Sequence, residues 1–328
     1  MSEAAFNFQT LDPDLILDAL WNTGIRVESG LTALNSYENR VYQFSDDDKR
    51  RYVAKFYRPQ RWSADQIAEE HQFAFDLHAD EIPVAAPLML NGQSLQSHGG
   101  FFFAVFPSLG GRQYETDNED HMEWVGRFLG RIHQTGQKNA FTTRPTLGLE
   151  EYVLEPQKIL ASSELVPAAL KDNLLQVVNK LSTTLHQCWH TNWQPLRLHG
   201  DCHPGNILWR DGPLFVDLDD ARTGPAIQDL WMLVNGDRQE QRIQWDILLE
   251  AYSEFRDFDV HELSLIEPLR AMRMVYYLAW VVRRWQDPAF PRAFPWMNDE
   301  DFWRRQIALF TEQERLLQEP PLQLVPQF

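Results

Sequence analysis

The residues best suited to chemistry lie between Arg197 and Asp220, where the chain reads R-L-H-G-D-C-H-P-G-N-I-L-W-R-D-G-P-L-F-V-D-L-D-D. Two short apolar runs, 207–209 and 214–216, flank Asp211-Gly212, a strong signal for a chain reversal. Folding back there brings Asp201 and Asn206, before the first run, beside Asp217, Asp219 and Asp220, after the second. Carboxylates gathered in this way repel one another unless a cation or proton sits among them. Oxygen-only donors suit a hard ion such as Mg²⁺. A turn merely rich in Asp, Asn and Gly would explain one such residue, but it explains the spaced set poorly.

Other segments must position these groups. Asp12-Pro13 opens a helix, with an N-cap and a proline at the first helical position, and Gly24 is placed to end it. Strand-like runs follow at 26–34, 41–44 and 52–57. The link Asn35-Ser36-Tyr37-Glu38-Asn39 joins the first two, and a charged turn at 46–51 joins the next. Lys55 lies in an apolar run, so it needs an anionic partner, a ligand or an exposed edge. Ser63 caps a helix reaching Ala79, with Trp62 as a staple, and this helix supplies two candidate partners, Glu69 and Glu70. A hairpin is expected from 84–90 and 101–106 around Asn91-Gly92. Beyond 107–111 the composition turns from strand-rich to helix-rich. Helices are expected at 121–135 (stopped by Gly136, with His133 a structural residue), 166–189, 242–255, 263–285 and 299–317, before an irregular end at 319–322.

The whole chain bounds the partners. Its 328 residues suit two globular units or one two-lobed domain, and 44% hydrophobic residues provide a large core. Lys+Arg 30 against Asp+Glu 47 gives a net charge of −17, which argues against gripping nucleic acid or an anionic membrane through bulk charge. Cys188 and Cys202 are the only cysteines, too few for a disulfide framework. The N-terminus, M-S-E-A-A-F-N-F, has no export-signal pattern, and the most apolar segment, 274–282, is too short to span a bilayer. A cytoplasmic monomer is expected.

The interval from Asp201 to Asn206 equals that of the H-R-D-L-x-x-x-N catalytic loop of protein kinases, with Gly200 in place of the arginine. H-G-D-x-H-x-x-N, followed by a hydrophobic strand and Asp217, resembles the aminoglycoside phosphotransferase and choline kinase branch of the kinase-like fold. Longer strings, L-N-S-Y-E-N-R-V-Y, A-K-F-Y-R-P-x-R-W, E-E-H-Q-F-A and F-V-D-L-D-D-A-R, are similar to a bacterial protein-kinase subgroup of that family and extend the resemblance over nearly the full length. It implies an α+β, bilobal protein-kinase-like fold, with a small β-rich lobe at 1–107, a larger helical lobe at 108–328 and a hinge at about 106–111. It also implies ATP as co-substrate, Mg²⁺ as cofactor, a protein Ser/Thr hydroxyl as acceptor, autophosphorylation and a stress-response role.

On the matching positions, the resemblance makes Asp201 the group that takes or orients the acceptor proton, and Asn206 and Asp217 the metal ligands. Lys55, fixed by Glu70, meets the α/β-phosphates. Ser36 covers them, with Asn35 and Asn39 behind it, and Asp229 holds the catalytic loop's backbone. Glu69 is then expected to be a solvated face residue. Asp219 competes as metal ligand, since strand alternation puts it on Asp217's face; register favours Asp217. Three rivals are a small-molecule hydroxyl kinase, a nucleotide-sensing pseudokinase, and a metallohydrolase built on His199, Asp201, Cys202 and His203.

Overall fold

The computed structural model describes residues 8–324. Residues 1–7, which carry most of the export-signal argument, lie outside them. The chain opens with α1 (Pro13–Asn22), where the Asp12 carboxylate accepts the Leu15 N–H at 2.8 Å and Pro13 takes the first helical position. An antiparallel sheet follows: β1 (Thr32–Ala33), β2 (Arg40–Ser45) and β3 (Arg51–Phe56), then, beyond α2 (Ala64–Ala79), β4 (Gln96–His98) and β5 (Phe101–Pro107). Their spatial order is β1-β2-β3-β5-β4, so β3 lies at the centre. One face buries Phe44, Ala54, Phe56 and Phe103 against Ile16, Ala19 and Leu20 of α1.

Two expected strands are shortened or displaced. Within 26–34 only β1 pairs as a strand, and Val27 adds a lone bridge to Asp46. The run at 84–90 forms no strand, because Pro83 and Pro87 lack the N–H a ladder needs. Val84 instead bridges Phe215 of the second lobe. The hairpin partner of β5 is β4, joined by Gly99-Gly100, while Asn91-Gly92 closes a tighter turn between Leu90 and Gln93.

The second lobe is mainly helical. It runs through β6 (Arg112–Gln113), α3 (Glu119–Gly136), a π-helical turn at Glu150–Leu154 continuing into α4 (Glu155–Ser162), α5 (Ala168–Cys188), β7 (Leu196–Leu198), β8 (Ile207–Trp209), β9 (Pro213–Phe215), β10 (Arg222–Gly224), α6 (Arg238–Ser253), α7 (Ile266–Arg283), α8 (Ala289–Ala293) and α9 (Glu300–Leu316). The reversal at Asp211-Gly212 pairs Ile207 with Phe215 and Leu208 with Leu214, and β6 extends that ribbon. The pair β7–β10 forms a second ribbon. One large core gathers Val125, Leu129, Leu174, Trp245, Val275 and Trp303. Phe73, Ala74 and Leu77 of α2 join it, so this helix is braced against the second lobe, and its other face sets Ile67 beside Trp62.

α3 ends at Gly136, as expected, and the glycine is also needed there for clearance. The helix meets β7 at this point, and a Cβ on the glycine would stand 2.3 Å from the Arg197 carbonyl oxygen. No helix among the described residues is long and apolar enough to cross a membrane.

Candidate active site

The loop after β7 is anchored from below. The fully buried Asp229 accepts the backbone N–H of His199 at 2.7 Å and that of Gly200 at 2.8 Å. His133 lies 3.2 Å from the same carboxylate through Nε2 and 2.9 Å from the Tyr252 hydroxyl through Nδ1, so it is a structural histidine. Burial pushes its imidazole down, against the pull of Asp229. Gly200 has φ +86°, and a Cβ there would lie 2.0 Å from the Asp220 carbonyl oxygen. The arginine of the protein-kinase triplet has no room at this position.

Asp201 heads the loop and is gripped on both oxygens. Arg273 of α7 donates to Oδ1 at 2.5 Å, and His203 Nε2 lies 3.5 Å from Oδ2. His203 Nδ1 accepts the Gly205 N–H, which leaves the ring proton on Nε2, facing Asp201. Burial would raise the Asp201 carboxyl; His203 and Arg273 outweigh it and hold it below the ordinary range. Asn206 donates its amide N–H to the Asp201 carbonyl at 3.0 Å, so its Oδ1 remains as an acceptor. Its own carbonyl receives the N–H of Val216 at 3.0 Å, which ties the two arms of the ribbon together just before Asp217.

Asp217 has φ +62°, ψ +66°, an uncommon conformation for a residue with a side chain. It turns the chain out of β9, and residues 218–220 form a 3₁₀ turn rather than more strand. Strand alternation therefore does not govern Asp219, yet both carboxylates reach Lys55: Nζ is 2.8 Å from Asp217 Oδ1 and 3.1 Å from Asp219 Oδ1. The two differ in exposure. Asp217 is half-exposed to the cleft, whereas Asp219 is buried and also paired with Arg61 and Asn39.

Lys55 sits in the central strand, so the edge-strand explanation fails. Burial would push its ammonium down, but Asp217, Asp219 and Glu70 together hold it well above the ordinary lysine value. Glu70 lies 3.9 Å from Lys55 and 3.8 Å from Arg144. Burial, helped by the charges of Asp219 and Asp217, holds its carboxyl above the usual range against the pull of Lys55 and Arg144. Glu69 is not a solvated face residue. It accepts hydrogen bonds from the backbone of Thr142, Thr143 and Arg144 and from both threonine hydroxyls. This fixes the segment that delivers Arg144 to the carbonyls of Leu218, Asp219 and Ala221.

A cleft of about 780 Å³ separates the lobes. Val41, Val53 and Phe106 line it from the sheet, Leu208 and Val216 from below, and the segment 107–109 closes its back. Asn35 and Ser36 also line it. Asn39 stands behind the cleft, accepting the Arg58 N–H at 3.0 Å and donating to Asp219 at 3.3 Å. Asp201, Asn206, Asp217, Lys55 and Glu70 all border this one cavity. Sequence reasoning missed Arg61, Arg144 and Arg273, whose acidic partners lie far away along the chain. The metallohydrolase cluster does not assemble. Cys202 is buried in the core and His199 Nε2 is 2.9 Å from the Val216 carbonyl oxygen. Among the described residues, the group of three His, Cys or acidic side chains whose ligand atoms close up is the turn Asp46–Asp48.

The phosphotransferase enzyme family profile matches residues 30–266. The chain belongs to that family. It is also 63% identical to stress response kinase A of Escherichia coli O157:H7 over 328 residues, covering all of both chains. It is 62% identical to the serine/threonine protein kinase RdoA of Salmonella typhimurium, again over the full length of both. Among solved structures it is similar to amicoumacin kinase hAmiN in complex with AMP-PNP and Ca²⁺. That likeness has a TM-score of 0.73 at 20% identity and covers 98% of this chain and 96% of that one. The fold is the bilobal kinase-like one of the family, and the chain is a phosphotransferase.

Proposed function

We propose that the chain is a serine/threonine protein kinase that transfers the γ-phosphoryl group of ATP to a protein hydroxyl, itself included, in a stress response. The names of its full-length relatives support the acceptor and the setting. The observation that carries the chemistry is the meeting of Lys55, from the centre of the small lobe's sheet, with Asp217, at the end of the β8–β9 ribbon, in a cleft that Asp201 also borders. Lys55, braced by Glu70, steadies the nucleotide's phosphates, and the Ser36 loop covers them. The segment at 106–111 is the hinge between lobes at 1–107 and 108–328, and its backbone faces the base. Asp201, held by Arg273 and His203, takes or orients the proton of the acceptor hydroxyl.

Asn206 and Asp217 offer an amide oxygen and a cleft-facing carboxylate, a donor set that fits Mg²⁺. When bound there, the ion neutralises phosphate charge. Phosphoryl transfer asks mainly for such alignment and charge neutralisation. Cys188 and Cys202 are both free thiols, which suits a reducing cytoplasm. We extend the reading to that compartment and to a monomer without nucleic-acid or membrane partners.

The test is incubation of the purified chain with γ-labelled ATP and Mg²⁺, offered a protein mixture and, separately, a metabolite pool. Label on protein Ser/Thr is expected, with transfer by Asp201→Asn reduced about 10²–10⁴-fold. Label confined to metabolites supports the small-molecule kinase instead, and tight ATP binding without any transfer supports the pseudokinase.

A further inference from the structure

The loop at 35–39 contains no glycine and cannot wrap itself around phosphates through backbone freedom. Its position is set from the far end of the chain. Glu38 accepts Arg284 Nη2 on Oε1 at 2.9 Å and the Trp280 indole N–H on Oε2 at 2.5 Å, and Arg284 Nε lies 2.8 Å from Oε2 as an ion pair. Arg58 donates to the main-chain oxygens of Glu38 and Tyr37 at 2.9 and 3.1 Å, and reaches Asp287 at 2.9 Å. Arg40, the first residue beyond the loop, forks the same Asp287 with two bonds of 2.9 Å. Tyr37 lays its ring against Phe294 and Phe290, with centroids 5.2 and 6.5 Å away.

The ionic contacts form one largely buried assembly, with Tyr37 at its exposed edge. Glu38 is surrounded by arginines from both lobes, Arg58, Arg61 and Arg284, while Asp287, itself from the large lobe, is held by Arg40 and Arg58 of the small one and is only 4% exposed. Buried charges so matched are costly to separate singly, because each broken pair leaves a desolvated charge behind. The loop and the end of α7 therefore move together or not at all.

We infer that residues 280–294, the end of α7 and α8, are a latch that presets the 35–39 loop over the cleft before nucleotide arrives. Glu38, Arg58 and Asp287 are its positioning residues. The inference rests on reading the cleft as a nucleotide site. Entry of nucleotide and departure of product then require the latch to release, and the latch supplies the order that a glycine-rich loop gains only on binding phosphate.

Asp287→Asn and Glu38→Gln in the full chain test this, through two readouts. The first is amide hydrogen exchange at 34–41 without nucleotide, with exchange in α3 and α5 as the fold control. The second is stopped-flow release of a fluorescent N-methylanthraniloyl ADP. Exchange and release are both expected to rise about 10-fold or more, and KM for ATP to rise while KM for the acceptor stays put. Unchanged exchange at 34–41, or faster exchange with unchanged release, overturns the latch. Should Asp287→Asn misfold, Glu38→Gln decides, since it keeps the side chain's shape and an oxygen for Trp280. If the wild-type chain binds no ADP analogue, the nucleotide reading fails, and exchange alone then decides whether 280–294 hold the loop.

Discussion

Asp229 touches no cleft, yet its two oxygens fix the backbone on which Asp201 depends. Asp229→Asn turns one acceptor into a donor facing an N–H. It is expected to cost about 1–3 kcal/mol in urea unfolding and to slow transfer although no cleft residue has changed. Glu69 gives a prediction with a sign. Burial would raise its carboxyl, but the Thr142, Thr143 and Arg144 hydrogen bonds prevail and lower it from 4.5 to about 2. A carboxyl with a depressed folded value stabilises the fold above its unfolded value, and that contribution disappears as the pH falls through the folded one. The Tm advantage of wild type over Glu69→Gln is therefore expected to be full at neutral pH and to shrink between about pH 4.5 and 2. The convergence of Lys55, Asp201, Asn206 and Asp217 on one cleft was legible in the sequence because short spacings and one chain reversal relate most of them. Arg273 was not. It is 72 residues from Asp201, and nothing local marks an arginine on a helix as the partner of a distant acid. Arg61 and Arg144 escaped for the same reason. Glu69 was misassigned because a polar residue beside a buried one reads as solvated, while its partners in 142–144 lie in a loop without periodicity.

Element by element, the long helices were read within a few residues because their apolar spacing persists over several turns, whereas the short α4 and α8 were not read at all and the strands were read less well. An apolar run such as 84–90 looks the same whether it pairs or merely crosses between lobes, and only its prolines argue against pairing. Asp217–Asp220 looked like more strand because the left-handed turn at Asp217 has no glycine to announce it. A glycine's close approach was invisible too: Gly136 was rightly read as the end of α3, but its clearance against Arg197 was not. Gly136→Ala pushes a methyl against the Arg197 carbonyl and is expected to destabilise the chain by about 1–3 kcal/mol in denaturant unfolding. Gly200→Ala faces both a positive φ and the Asp220 carbonyl, so it should be worse and should abolish transfer even where folded protein is recovered.

Each lobe has its own large core, the cleft between them sets charged groups among apolar walls, and ligands that bridge the lobes should stabilise the molecule by mass action. ATP with Mg²⁺ at about 100 times its Kd is expected to add about 2.7 kcal/mol, seen as a rise in Tm. Asp217→Asn should keep the nucleotide-only share of that rise and lose the share that Mg²⁺ adds; an unaltered Mg²⁺ increment in calorimetry would remove Asp217 from the metal site. One further consequence follows from the Trp280 indole bonded to Glu38 across the lobes. Indole emission responds to nearby charge and to water, so separating the lobes must change the light this ring emits. Subtracting the spectrum of Trp280→Phe from that of wild type isolates the signal, and the chain thereby carries its own optical gauge of how far its jaws stand apart.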